Sequence, residues 1–316
     1  MNPLRQWPYG CNLLYADEGQ GVLPLHSCCL ESNPYVQANC GTCNPRCEVP
    51  FNPGFGEGSA LTPESEGLDR ALAEIQGLSF TSTGFRTDTG RLPDLVPLVW
   101  RDRRTLPPGR AIYAVSLSTL LNPCESGREI RACYPRMDLR RTVHLPENAS
   151  LLLTGNAKDN LLEWVWLNRA GVLDTIAANR FEYVTTPNYS VYGNKCSLEW
   201  AYNLKRAMFF LPLLKQVAPN PILTVSLPSE AIFDRYVDWL IRNPDVNCVA
   251  LNLQMLRRRS NELQAELDKG AALQERIGRA LHYIVAGPST STRIEMVHVT
   301  LSKVTIVSSF HYNRSP

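Results

Sequence analysis

The sequence predicts an α/β protein of the (β/α)8 TIM-type barrel class, preceded by an N-terminal cysteine-rich metal-binding segment. Three observations lead there: eight short β-rich runs from residue 95 onward, amphipathic helical stretches between most of them, and six of the ten cysteines within the first 47 residues. Runs that are apolar nearly throughout belong to strands buried on both faces, and strands alternating with helices build a parallel sheet. The 316 residues, 44% of them apolar, suffice for one closed barrel and its core. Eight strands favour closure. An open doubly wound sheet is the second solution, weakened because neither GxGxxG nor GxxxxGKS/T occurs.

Residues 1–60 are rich in Pro, Gly, Asn and Cys without a sustained period, and form the metal-binding segment; the barrel occupies 61–316. The stretch Asn52-Pro-Gly-Phe-Gly-Glu-Gly58 reads as a linker, and a helix is predicted after Thr62, with Pro63 at its first position and Gly77 as its stop. The eight strands are predicted at Leu95–Trp100, Ile112–Ser116, Leu151–Thr154, Phe181–Val184, Ile222–Ser226, Cys248–Leu253, His282–Ala286 and Val304–Ser308. Helical periodicity marks Leu161–Asn168, Leu198–Val217, Glu230–Arg242 and Asn261–Leu281. The sequence ends shortly after the eighth run, so a final barrel helix is expected to be absent or supplied from elsewhere. The longest apolar run, Ala207 to Leu214, contains Pro212 and is far too short for a bilayer, and Arg5 is not followed by the apolar stretch of a signal peptide. A cytoplasmic location without membrane attachment is therefore expected, and the Asn-X-Ser sequons at Asn148, Asn188 and Asn313 are read as chance.

Within the cysteine segment, Cys40-Gly-Thr-Cys43-Asn-Pro-Arg-Cys47 gives a CxxC pair with a third cysteine four positions on, and Cys28 or Cys29 could complete a set of four. A CxxC turn brings two thiolates to one ion, and four thiolates serve a structural zinc or, alternatively, an iron–sulfur cluster. Disulfides rank below both because no export signal accompanies the cysteines.

The net charge of +2 conceals two blocks. Met1 to Arg70 carries eight acids against three bases, whereas Arg101 to Arg141 carries nine arginines, four acids and no lysine. The planar guanidinium fork matches phosphate and carboxylate oxygens, so Arg101, Arg140 and Arg141 are candidate nucleic-acid contacts, with an Arg-rich surface satisfied by local acids as the plain alternative.

Barrel chemistry sits at the C-terminal ends of the strands. After the third run come Asn156, Lys158 and Asp159, and after the fourth Asn188, Tyr189 and Tyr192. Asp159 is the candidate catalytic carboxylate, because it opens a helix whose N-terminal dipole favours negative charge; the alternative is a helix cap. Asn156, Lys158 and Asn188 are candidates to orient substrate or water, and Tyr189 and Tyr192 to stack on a base or sugar. After the seventh run, Gly287-Pro-Ser289-Thr290-Ser291-Thr292-Arg293 combines a glycine, four hydroxyls and a helix start. Ser289, Thr290, Ser291 and Arg293 thus form a candidate phosphate cradle, or else an ordinary N-cap.

The stretch Pro187-Asn-Tyr-Ser-Val-Tyr-Gly-Asn-Lys-Cys-Ser-Leu-Glu-Trp-Ala-Tyr-Asn-Leu-Lys-Arg-Ala, continuing to Pro221-Ile-Leu-Thr-Val, resembles an uncharacterised bacterial and phage domain family. There a strand ends in an Asp-Phe-Ser-x-Tyr-type turn before a long helix bearing Asn and Arg; this sequence has Asn188 where that acid stands. A barrel with a cysteine metal site is also similar in architecture to the tRNA-guanine and deazapurine transglycosylases. Their zinc motif lies late in the chain, not early, and the likeness implies base–sugar chemistry by strand-end aspartates only as an analogy.

Taken together these residues predict an enzyme of the DNA glycosylase or transglycosylase type, cleaving the N-glycosidic bond of a modified base in nucleic acid, DNA in the first instance and phage DNA as a candidate. The alternatives are a small-sugar or nucleotide hydrolase, and a non-catalytic metal-stapled nucleic-acid-binding protein of a mobile element.

Overall fold

The computed structural model describes residues 73–99, 110–121, 139–191, 197–256 and 260–309. The cysteine segment, its boundary at residue 60 and most of the helix predicted after Thr62 lie outside these residues. Ala73 and Glu74 are helical, and the chain leaves the helix through left-handed Gln76 and Gly77.

Eight parallel strands close into a barrel in the order of the sequence, β1 (Leu95–Val99), β2 (Ile112–Ser116), β3 (Ser150–Thr154), β4 (Tyr183–Thr185), β5 (Asn220–Val225), β6 (Cys248–Asn252), β7 (His282–Ala286) and β8 (Val304–Ser308). Closure is made by β1 against β8, with Leu95 opposite Ile306 and Val96 opposite Val307. The predicted barrel is therefore the observed one. The fourth strand starts two residues later than predicted and the fifth two residues earlier, the latter because Asn220 and Pro221 pair with Tyr183 and Val184 although neither is a strand former. The barrel interior is filled by Val96, Leu98, Ile112, Ala114, Leu152, Tyr183, Ile222, Cys248, Ala250, Ile284, Ala286 and Val307, all buried, with Leu92 packed against them. It is a packed core and not a pore.

The helices are α1 (Leu117–Leu121), α2 (Leu139–Thr142), α3 (Asp159–Leu167), α4 (Arg169–Asn179), α5 (Ser197–Lys215), α6 (Glu230–Arg242), α7 (Ser260–Ile277) and α8 (Ser291–Thr300). The sequence pattern finds α3, α5, α6 and α7 within a few residues. It misses α4, which has only Val172, Thr175, Ile176 and Asn179 buried and therefore shows little apolar periodicity. In α7, Gly270 allows close approach to the sheet: a Cβ there would stand 3.4 Å from both Leu251 and Leu301, and the Tyr283 hydroxyl donates to the Gly270 carbonyl at 2.7 Å.

Contacts divide the chain into two compact units. The barrel lies in the unit made of 82–188, 210–225 and 240–316; the other holds 1–81, 189–209 and 226–239.

In the barrel unit, the segment before β1 straps the N-terminal ends of the strands. Gly84 and Thr87 donate their backbone N–H groups to the side chains of Asn243 and Asn247, and Asp88 donates to Asn220, at 2.8–2.9 Å. The Asn247 amide returns a bond to the Thr87 carbonyl, and the Tyr183 hydroxyl donates to the Asp88 carbonyl, both at 2.9 Å. Burial and the carboxylates of Glu182 and Asp88 hold that tyrosine in its neutral, donating form. The strap crosses β4, β5 and β6 at their start and leaves the opposite end as the place for a site.

In the other unit, Lys205 is buried and its Nζ donates to the Ser79 carbonyl at 2.5 Å and to Thr81 Oγ1 at 3.2 Å. Arg235 donates to the Leu78 carbonyl and lies 4.6 Å over the Phe80 ring. Burial, and then the Arg235 charge, lowers the Lys205 pKa to about 8. Unfolded lysine titrates near ~10.4, so between these values the unfolded chain binds a proton that the folded chain does not. This group therefore raises stability as pH climbs from about 8 to about 10, and its contribution is least favourable below 8. Denaturant midpoints of wild type and Lys205→Met, taken across that window, should show wild type gaining relative to the variant. A difference that stays level with pH, or shrinks, contradicts the buried ammonium.

Candidate functional site at the barrel mouth

At the C-terminal ends of the strands, the sequence places hydroxyls and amides where the apolar strands run out. Ser116, Thr119, Thr154, Asn156, Thr185, Thr186, Thr224 and Ser308 are all buried there, and Asn252 is half-buried. Buried polar groups must find partners, and most of these do. The Thr185 hydroxyl accepts the Gly155 N–H at 2.7 Å, Thr186 Oγ1 accepts the Thr224 N–H at 2.9 Å, and the Thr224 hydroxyl donates to the Thr186 carbonyl at 3.0 Å. Ser116 and Thr119 pair their hydroxyls at 3.0 Å, and Asn252 Oδ1 accepts the Gln254 N–H at 3.1 Å.

Two groups depart from that pattern. Thr154 Oγ1 and Asn156 Nδ2 are buried and have no hydrogen-bond partner. An unmet buried polar group costs roughly 1–3 kcal/mol, which a ligand or water seated there would remove. Both side chains line a cavity of about 10 Å³ shared with Thr185, Thr224 and Asn252, room for about one water. The collar is neutral: no carboxylate or cation is among the residues lining that cavity.

Gly155 sets the geometry. A Cβ at this position would stand 2.0 Å from the Thr186 carbonyl oxygen, so only glycine lets the chain leaving β3 press against the chain leaving β4. The contact is fastened by the Asn188 N–H donating to the Gly155 carbonyl at 2.9 Å. Two of the candidate residues, Asn156 and Asn188, are thereby carried on neighbouring, hydrogen-bonded segments.

The other candidates are distributed as follows. Lys158 and Asp159 are exposed; Lys158 is the N-cap residue of α3, without a side-chain capping bond, and Asp159 is the first residue of the helix. Asp159 is thus not the cap. Thr290 caps α8 by position, again without a side-chain bond; Thr290 and Ser291 are exposed, while Ser289 and Arg293 are half-buried. The segment before them is pinned: Gly287, at φ +132°, would place a Cβ 2.6 Å from the Leu253 carbonyl carbon, and the Ser308 hydroxyl donates to the Pro288 carbonyl. Arg140 is half-buried in α2, donating to the Ala149 carbonyl, and Arg141 is exposed beside it. Arg101, Tyr192 and the cysteines Cys28, Cys29, Cys40, Cys43 and Cys47 lie outside the described residues.

Tyr189 belongs to the other unit, where it is buried with the Arg206 guanidinium 3.9 Å over its ring. Asn203 Nδ2 donates to the Ser190 carbonyl at 2.8 Å and Arg206 donates to Asn203 Oδ1 at 2.5 Å. Asn203 and Arg206 of the long helix α5 thus act together on the turn at 189–190.

Sequence reasoning passes over Thr224. The available signal was a lone polar residue inside the otherwise apolar run Ile222-Leu223-Thr224-Val225. Glu182, the acid within the predicted fourth strand, sits at the opposite end of the barrel, bonded to Ser150 and paired with Arg91 at 3.3 Å. Among the described residues, no group of three or more His, Cys, Asp or Glu side chains is gathered to hold a metal, and no helix is long and apolar enough to cross a membrane.

No protein-family model matches the chain, and no curated protein matches it. Among solved structures, it is similar to the crystal structure of the glycerol uptake operon antiterminator regulatory protein from Listeria monocytogenes. That similarity has 10% identity and a TM-score of 0.32, covering 70% of this chain and 96% of the other.

Proposed function

We propose that the barrel mouth receives a nucleobase and that the chain is an enzyme acting on the N-glycosidic bond of a modified base in DNA. One observation carries the reading: Thr154 Oγ1 and Asn156 Nδ2 are buried, unmet hydrogen-bonding groups in a neutral collar at the end of the barrel where chemistry is sited. A side-chain amide offers a donor and an acceptor in one plane, the arrangement that reads a base edge. A neutral collar suits an uncharged heterocycle, because a buried charge would have to be paired or desolvated at high cost.

In this reading Asn156 and Thr154 hold the base, and Asn188 steadies the adjoining segment. The bond from the sugar C1′ to the base nitrogen breaks with its electron pair going to the base, and water supplies oxygen to C1′ and a proton to the departing base. Asp159, three residues beyond Asn156, provides the carboxylate that offsets positive charge on the sugar ring, and relays the proton it takes from the attacking water to the departing base nitrogen, ending ionised again. Ser289, Thr290, Ser291, Arg293 and Arg101 are assigned to phosphate oxygens and Lys158 to orienting the substrate, whereas Arg140, which donates to the Ala149 carbonyl just before β3, and its neighbour Arg141 lie toward the strapped end and take no part at the mouth. A zinc ion, or an iron–sulfur cluster, on the N-terminal cysteines would serve folding and takes no part in these steps. The architectural resemblance to the transglycosylases enters this assignment as an analogy only.

A second reading, a hydrolase of free nucleotides or small sugars, uses the same carboxylate without affinity for polymeric DNA. Release of free base from DNA by wild type, and its loss in Asn156→Leu, tests the first reading against the second.

A further inference from the structure

The opposite end of the barrel unit holds a larger space than the mouth. Between the strap before β1 and the end of α5 lies a cavity of about 530 Å³, within the usual range for small-molecule sites. Its wall includes Arg86, Thr87, Asp88, Lys215, Asn220 and Asn247.

The two asparagines are already engaged: Asn220 and Asn247 hold the backbone of Asp88 and Thr87. Asp88 Oδ1 accepts the Gly90 N–H at 3.1 Å. The charged groups in the wall, Arg86 and Lys215 against Asp88, leave one net positive charge. Arg86 and Lys215 are both exposed, and Lys215 donates only one bond, to the Pro219 carbonyl at 2.9 Å, from an ammonium that has three donors. Lys215 is also held in place by the Phe85 ring, 5.7 Å from its Nζ. Thr87 adds an independent sign of an occupant: it is 1% exposed and its Oγ1 has no partner. A guanidinium fork and an ammonium lining one cavity favour an anion that brings several oxygens on a small body.

We infer that this cavity is a second binding site, separate from the mouth, for a small phosphorylated or polycarboxylated metabolite. Its anionic oxygens would bridge Arg86 of the strap to Lys215 at the end of α5, and so tighten the strap over the start of β4, β5 and β6. The site would act on stability and on the strap, not on the bond broken at the mouth.

The probes are ribose 5-phosphate and citrate, with ribose as the uncharged control, each titrated calorimetrically into the full chain in chloride buffer. At least one anion should bind saturably with millimolar affinity or better and raise the melting temperature, while ribose does neither. Preference for ribose 5-phosphate assigns the site to a phosphate, and preference for citrate to carboxylates. Arg86→Ala with Lys215→Ala, two exposed positions, should weaken binding about tenfold or more, as expected for lost charge-assisted bonds. Asn156→Leu should leave anion binding intact, which separates this inference from the reading of the mouth. Absence of saturable binding by either anion, equal binding of ribose, or unchanged affinity in the double variant overturns it.

Discussion

Asp159→Asn is expected to abolish base release while the protein melts nearly as wild type does. The carboxylate is exposed at the first position of α3, and Lys158, not Asp159, occupies the cap position. Its removal leaves the cap residue in place and forfeits only the modest favour of a negative charge at an exposed helix N-terminus, about 0.3–1 kcal/mol. The rate should respond differently. Breaking the base–sugar bond builds positive charge on the sugar ring, and a carboxylate held against it lowers the barrier without tightening ground-state binding. Loss of such a group costs on the order of a hundredfold or more in rate. DNA affinity, measured in parallel, should persist, since a neutral amide next to Lys158 repels phosphate less than a carboxylate does. Full activity in Asp159→Asn would place the chemistry on another acid. Glu182 is not available for that role, because it lies at the strapped end with Ser150 and Arg91. Asp102, which follows the predicted first strand Leu95–Trp100 and lies outside the described residues, would be the next acid to test.

Gly155→Ala should be the most damaging single methyl group in the barrel. The added carbon would meet the Thr186 carbonyl oxygen at 2.0 Å, its carbon at 2.5 Å and Pro187 Cα at 2.9 Å, all backbone atoms that no rotamer change can move. Relief requires the segments after β3 and β4 to separate. Three bonds run through that contact: Gly155 N–H to Thr185 Oγ1, Asn188 N–H to the Gly155 carbonyl, and the Thr224 hydroxyl to the Thr186 carbonyl. Overpacking with loss of such a network falls among the mechanisms that exceed about 4 kcal/mol, or roughly 10 °C in melting temperature. Gly171→Ala is the control, because nothing lies within 4 Å of its Cβ position in α4. There alanine should be neutral or stabilising by up to ~1 kcal/mol through helix propensity. Equal melting of the two variants would show that the close approach at Gly155 is not what holds the mouth together.

The barrel was legible because each strand is a compact apolar run between helices, a pattern that burial on both faces imposes on the residues themselves. Val304–Ser308 and Ile112–Ser116 coincide with their predicted spans for that reason. The strap was not legible. Residues 82–92 have neither period nor apolar run, and what fixes them is four asparagine and tyrosine side chains 95 to 160 residues away in sequence. The site was legible in outline only. Strand-end position pointed to Asn156 and Asn188, but whether a threonine hydroxyl is engaged or unmet depends on which neighbour the barrel brings to it. Thr154 and Thr185 look alike in sequence, yet the second accepts the Gly155 N–H and the first has no partner.

The central claim is that an unmet amide and hydroxyl at the barrel mouth receive a base whose bond to sugar is then broken. Counting abasic sites in plain and in heavily modified DNA after incubation with the full wild-type chain tests it most directly. Abasic sites should accumulate with time in modified DNA, matched by free base in solution, and should fail to accumulate with the Asn156→Leu chain. Salt-sensitive DNA binding with no abasic sites in either substrate would contradict the claim and leave a non-catalytic nucleic-acid-binding barrel.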